Sequence, residues 1–106
     1  MKFRGGMSEL MRQASRLQRK VAIRKDELKT ATVEASAGND RVKVVVTGAH
    51  ELASITIDPE LLKEEDLNMV QDLIVAAVNA GLTKSNEMVE AELEKVTGGV
   101  QIPGLM

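Results

Sequence analysis

Along residues 7–29 apolar side chains return every three or four positions, at Met7, Leu10, Ala14, Leu17, Val21 and Leu28, with Met11 beside them. At about 100° per residue all seven fall within an arc of roughly 120°, the stripe of a helix with one buried face. The spacing is that of heptad a and d positions, and Arg24 interrupts it. Ser8 is a candidate N-cap, and neither Gly nor Pro breaks the run. A helix of this length measures about 35 Å. That exceeds the width of a small sheet, so part of it is expected to project.

The period then changes from helical to two. Residues 30–36 set Ala31, Val33 and Ala35 against Thr32 and Glu34; residues 42–47 set Val42, Val44 and Val46 on one face; residues 52–57 direct Ala53, Ile55 and Ile57 inward. Gly38-Asn39-Asp40 and Gly48-Ala49-His50 supply the turns between them. The pattern predicts an antiparallel meander with one apolar face. Asp58 and Pro59 then open a short helical turn as N-cap and first helical residue. Glu64, Glu65 and Asp66 place negative charge where a last helix begins, and Gly98-Gly99 stops that helix. Its main apolar face is Leu67, Val70, Leu73, Ile74, Ala77, Val78, Gly81 and Met88. A second stripe, Val75, Leu82, Val89 and Leu93, widens it beyond what one sheet covers.

The expected architecture is α+β, in the order α-β-β-β-α. Long first and last helices flank a three-stranded antiparallel sheet, in a single domain spanning residues 1–106, with residues 1–6 flexible and residues 98–106 an extended tail. A chain of 106 residues whose one aromatic is Phe3 must build its core from aliphatic side chains, and a domain of this size buries only a modest share of its surface. The surplus apolar stripe is most economically covered by a second copy, as most soluble oligomers are symmetric homo-oligomers. Val75, Leu82, Val89 and Leu93 are therefore the candidate homodimer interface.

Charge changes the picture more than composition does. The formal net charge is −2, yet residues 1–29 carry nine Lys or Arg against three acids, and the remainder carries five against thirteen. A basic working surface is thus separated from an acidic body. On the helical projection Arg12, Arg16, Arg19 and Lys20 share an arc of roughly 100° opposite the apolar seam. Arg guanidinium groups bind phosphate oxygens in a bidentate manner. These four, with Arg24 and Lys25, are the candidate contacts to nucleic-acid phosphates. Ile23 lies on the same outer face.

Other chemistry is poorly supported. Without cysteine there is no disulfide and no thiolate metal site. The sole histidine, His50, falls in a turn with no catalytic partner nearby in sequence. Glu64-Glu65-Asp66 is better explained by helix-terminal charge than by a metal, and neither Gly-Gly pair has the spacing of a phosphate loop. The six methionines are mostly core or terminal residues rather than a cofactor groove. No enzyme, cofactor or metal is expected. No apolar run approaches the roughly 20 residues that cross a bilayer, and Lys2 and Arg4 precede no apolar signal segment. The expected location is the cytoplasm, without membrane contact.

Five blocks in order resemble the YbaB/EbfC family of bacterial nucleoid-associated proteins. They are Leu10-Met11-Arg12-Gln13-Ala14-Ser15-Arg16-Leu17-Gln18, Val42-Lys43-Val44-Val45-Val46-Thr47-Gly48, Ile57-Asp58-Pro59-Glu60-Leu61-Leu62, Asp72-Leu73-Ile74-Val75-Ala76-Ala77-Val78-Asn79-Ala80, and Thr97-Gly98-Gly99 followed by Ile102-Pro103-Gly104-Leu105. The fourth is the most specific. Asp40 and Arg41 depart from the glycine the family tends to carry before its central strand. The resemblance implies an α/β/α domain in a tweezer-like homodimer, DNA binding of limited sequence preference, a nucleoid location, and a role in chromosome organisation or gene regulation. Family genes often neighbour recombination and replication genes. The competing reading is therefore an adaptor whose projecting helices bind recombination or replication proteins.

Overall fold

A computed structural model of the chain describes residues 2–99, with side chains from Met7 onward. The elements are α1 (Lys2–Leu28), β1 (Thr32–Ala37), β2 (Val42–Thr47), β3 (Leu52–Ile57), α2 (Pro59–Glu64) and α3 (Leu67–Thr97). This is the expected α+β order, with an antiparallel sheet in the order β1-β2-β3. The expected extended tail beyond Gly99 lies outside the described residues.

The core sits between β2 and α3. Val42, Val44 and Val46 point the same way and are all but inaccessible to solvent, as are Leu61, Val70 and Ala77. Each fully buried valine contributes about 1.5–3 kcal/mol, so the central strand anchors the sheet to the helix. Gly81 lets the two approach. A Cβ there would stand 2.7 Å from Val46 Cγ2 and 3.0 Å from Val44 Cγ2. α2 is capped as the sequence predicts, and Asp66, expected only to supply negative charge, caps α3. Asp58 accepts from the Glu60 N–H at 3.0 Å and Asp66 from the Met69 N–H at 2.8 Å. Gly98, at φ +63°, closes α3 in the left-handed conformation.

α1 packs antiparallel to the C-terminal half of α3. Leu28 and Val89 both border Gly48, Arg24 meets Glu92, and Val21, Leu28 and Leu93 form a second buried cluster. This register sets Thr97 beside roughly residue 19 of α1. With a rise of about 1.5 Å per residue, some 25 Å of α1 extends past the end of α3, and the molecule measures 77 × 18 × 16 Å.

Several sequence expectations are corrected. α1 starts at Lys2, so Gly5, Gly6 and Ser8 lie inside the helix and Ser8 is not its cap. The apolar seam of α1 is not buried throughout: Val21 and Leu28 are, but Met7, Leu10 and Met11 are 62–67% exposed because α3 has already ended. β1 runs two residues later at its start than the alternation suggested. A bulge between Val45 and Val46 pairs Val46 with Leu52, so Leu52 replaces Ala53 on the inward face beside Ile55 and Ile57. Leu67, expected on the packed face of α3, is exposed in the helix's first turn.

Candidate nucleic-acid interface

The projecting part of α1 carries Arg12 and Arg16 of the basic row, and Arg19 and Lys20 continue it alongside the last turn of α3. Arg12, Arg16, Arg19 and Lys20 are all exposed. On the helical projection they lie on the far side from Val21 and Leu28, the residues that pack on α3. No tertiary packing competes for this face. Arg12 has one weak neighbour, Glu9, 3.8 Å away in a well-solvated i,i+3 pair. Pairs of that kind contribute at most about 1 kcal/mol and yield readily to phosphate. Met11, Arg12, Ser15, Arg16 and Arg19 line a shallow depression of about 310 Å³.

Two of the six candidates lie elsewhere. Arg24 turns toward α3, where its guanidinium donates to Glu92 Oε1 at 2.6 Å and lies 3.7 Å from Glu27. Lys95 also bonds Glu92, and Lys95 and then Arg24 hold its carboxyl below the ordinary value of 4.5. Arg24 thus clamps α1 to α3 instead of facing solvent with the row. That role was hidden in the sequence because Arg24 and Glu92 are 68 positions apart. Lys25 projects on the seam side of α1, about half a turn from Arg16.

The second candidate surface divides as well. Leu93 is 2% exposed, packed with Val21 and Leu28 in its own chain, and Val89 joins that cluster. Their partner is α1, so Leu93 has no surface left for a second subunit. Val75, by contrast, is 58% exposed, and Leu82 is half-buried. Both lie on the flank of α3 opposite Leu73 and Lys84, which reach β1 at Gly38 and at the Glu34 carbonyl. They therefore face the β3 side of the sheet, where inward Leu52 and Ile55 remain 45% and 39% exposed because α3 lies over β1 and β2. Val75, Leu82, Leu52 and Ile55 make one apolar shelf.

His50 has a partner that its sequence neighbours did not reveal. Its Nδ1 is 3.1 Å from the hydroxyl of Ser85, which is wholly buried and donates to the Thr47 carbonyl at 2.6 Å. The serine has one proton and spends it on the backbone, so the imidazole donates through Nδ1. The pair ties the β2–β3 turn to α3 and is not a nucleophile with its base. Among the described residues no group of three His, Cys, Asp or Glu side chains could hold a metal ion, and no helix is long and apolar enough to cross a membrane.

The chain is similar to known proteins over most of its length. The chain is 50% identical over 104 residues to a nucleoid-associated protein of Acetivibrio thermocellus, covering 97% of this chain and 92% of that one. It is 52% identical over 95 residues to a nucleoid-associated protein of Syntrophobacter fumaroxidans, covering 90% and 86%. An uncharacterized protein of Helicobacter pylori, 22% identical, shares the fold with a TM-score of 0.70 over 86% of this chain and 96% of its own. Residues 3–100 match the YbaB/EbfC DNA-binding family, and the chain belongs to that family.

Proposed function

We propose that the chain binds double-stranded DNA as a homodimer, with limited sequence preference, and serves in chromosome organisation or gene regulation at the nucleoid. The observation that carries this reading is the exposed row of Arg12, Arg16, Arg19 and Lys20 on the face of α1 turned away from α3, running out onto its projecting part. Its chemistry is phosphate contact, which positions a protein on the duplex without reading bases. The apolar shelf of Val75, Leu82, Leu52 and Ile55 is where a second copy packs, and two-fold symmetry then presents two basic rows to one duplex. The relatives' names support a nucleoid role; the adaptor reading has no comparable support.

The test is a fluorescence-anisotropy titration of the intact protein on two unrelated duplexes at rising salt. A dimer offers eight row charges, of which about half engage at once. With about four phosphates neutralised, log K falls against log salt with a slope near −3.6. Similar affinities for both duplexes are expected. Absence of salt-sensitive binding overturns the reading.

A further inference from the structure

The sheet has two edges, and they differ. Where strands pair antiparallel, the backbone groups of alternate residues point to the partner strand and those of the residues between point away. Beside β1 the Gly48 N–H donates to the Ala31 carbonyl at 2.9 Å, and the register beyond it turns the backbone groups of Thr32, Glu34 and Ser36 outward. That edge is closed. Lys84 Nζ donates to the Glu34 carbonyl at 2.7 Å, and a second copy paired there would set Glu34 against its own like charge. Beside β3 the Asp58 N–H donates to the Arg41 carbonyl at 2.8 Å, and the same alternation turns the backbone groups of Ile55 and Ile57 outward. Among the described residues no strand lies beyond β3, and its sequence, Leu-Ala-Ser-Ile-Thr-Ile, has neither the charge nor the proline that blunts an edge. We propose that β3 pairs antiparallel with β3 of a second copy about a two-fold axis at Thr56, joining the two sheets into one of six strands. The inference rests on the homodimer reading above and names how the two copies meet.

Three features select this partner. The first is the backbone. The bulge at Ala53 and the turn into α2 at Asp58 bound the regular part of β3 to residues 54–57. An axis at Thr56 engages both outward residues of that part, Ile55 with the partner's Ile57 and Ile57 with the partner's Ile55, each pair exchanging N–H and carbonyl bonds. Such a contact uses the same patch on both copies and closes on itself. The second is the side chains. On the face toward α3 each Ile55 meets an isoleucine, and on the outer face the two Thr56 stand opposite one another. Apolar β-branched pairs and Thr–Thr pairs are favourable cross-strand neighbours, and no like charges meet. The third is continuity with the apolar shelf. The axis stands normal to the sheet, so both copies of α3 lie on the same face, and the shelves of Val75, Leu82, Leu52 and Ile55 turn toward one another across the seam. The 45% and 39% exposure of Leu52 and Ile55 is then that of a strand seen without its neighbour.

The chain has no cysteine, so a single substitution tests the axis. Ser54 and Thr56 are both exposed and tolerate replacement. At the axis the two Thr56 Cα atoms form a non-hydrogen-bonded pair about 4.5 Å apart, within the span that a disulfide bridges. Thr56→Cys in the full chain is expected to give a disulfide-linked dimer under mild oxidation. Two Ser54 Cα atoms stand roughly 14 Å apart in this register, so Ser54→Cys is expected to stay reduced. In the wild type the Ile55 and Ile57 amides are expected to exchange as slowly as those of Ser54 and Thr56, which point to β2, whereas amides on an open edge exchange freely. Wild type that sediments as a single chain overturns both this pairing and the homodimer reading. In a chain that sediments as a dimer, a Thr56→Cys variant that stays reduced, equal cross-linking from Ser54→Cys, or free exchange at Ile55 and Ile57 overturns the pairing and leaves the homodimer reading standing.

Discussion

Gly48→Ala tests how the projecting helix is seated. A Cβ at this position would lie 1.9 Å from the Leu28 carbonyl oxygen and 2.8 Å from its carbon. Both are backbone atoms, so no side-chain rotation relieves the overlap. Ordinary contact begins near 3.4 Å, and the end of α1 must therefore retreat by about 1.5 Å. That retreat strains the bond from the Gly48 N–H to the Ala31 carbonyl, now 2.9 Å, and opens the cluster of Val21, Leu28 and Leu93. Overpacking costs about 1–3 kcal/mol, and partial exposure of Leu28 adds roughly 1 kcal/mol. The expected destabilisation is about 2–4 kcal/mol, at least about 8 °C in Tm for a domain of this size. The assay is thermal unfolding by circular dichroism at matched protein concentration, with amide exchange across residues 21–28 as the local readout. Gly98→Ala is the reference. Nothing lies within 4 Å of its Cβ, but its φ is +63°, so it costs about 1 kcal/mol through backbone strain alone. If Gly48→Ala is no worse than Gly98→Ala, α1 does not rest on this turn and its proposed seating is wrong.

Two further outcomes follow from the same contacts. Val75→Glu and Ile55→Glu place an unpartnered charge on the apolar shelf and are expected to dissociate the dimer; sedimentation equilibrium at micromolar concentration checks this, and a wild type that sediments as a single 11.5 kDa species contradicts the dimer itself. Because Lys95 and Arg24 lower the Glu92 carboxyl below 4.5 in the folded chain, its contribution is complete above that value and disappears as pH falls through the lower folded one. Denaturant unfolding should find Glu92→Gln less stable than wild type at neutral pH, with the difference shrinking as pH falls through the lowered folded value; a difference that does not shrink as the solution is acidified refutes the role given to this carboxylate.

What could be read from the sequence is what short-range physics dictates. The alternation of Val42, Val44 and Val46, the Asp58 cap and the stop at Gly98 each need only a few neighbouring residues, and all are present in the structure. What escaped depends on distant partners. The seam of α1 was legible as apolar, but which part of it is buried depends on where α3 ends alongside it. The bulge that exchanges Ala53 for Leu52 is a property of the β2–β3 pairing, and a one-residue shift reverses every inward assignment beyond it. Ser85 stands on an apolar helix face because Thr47 and His50 satisfy its hydroxyl from the sheet side. The basic row was legible at Arg12, Arg16, Arg19 and Lys20, where nothing packs. It did not reveal that at Arg24 an acid 68 positions away engages the guanidinium.

The central claim is that this exposed row grips phosphate. Arg16→Glu/Arg19→Glu leaves the fold intact, since both side chains are exposed and substitutions at such sites usually change stability by less than about 0.5 kcal/mol. Titrated by fluorescence anisotropy on two unrelated duplexes at several salt concentrations, it is expected to bind both more weakly by the same factor. Its salt slope should flatten to about half the wild-type value, as about two fewer phosphates are neutralised. Wild-type affinity and slope in a folded double variant would contradict the claim and place the DNA contact elsewhere on the molecule.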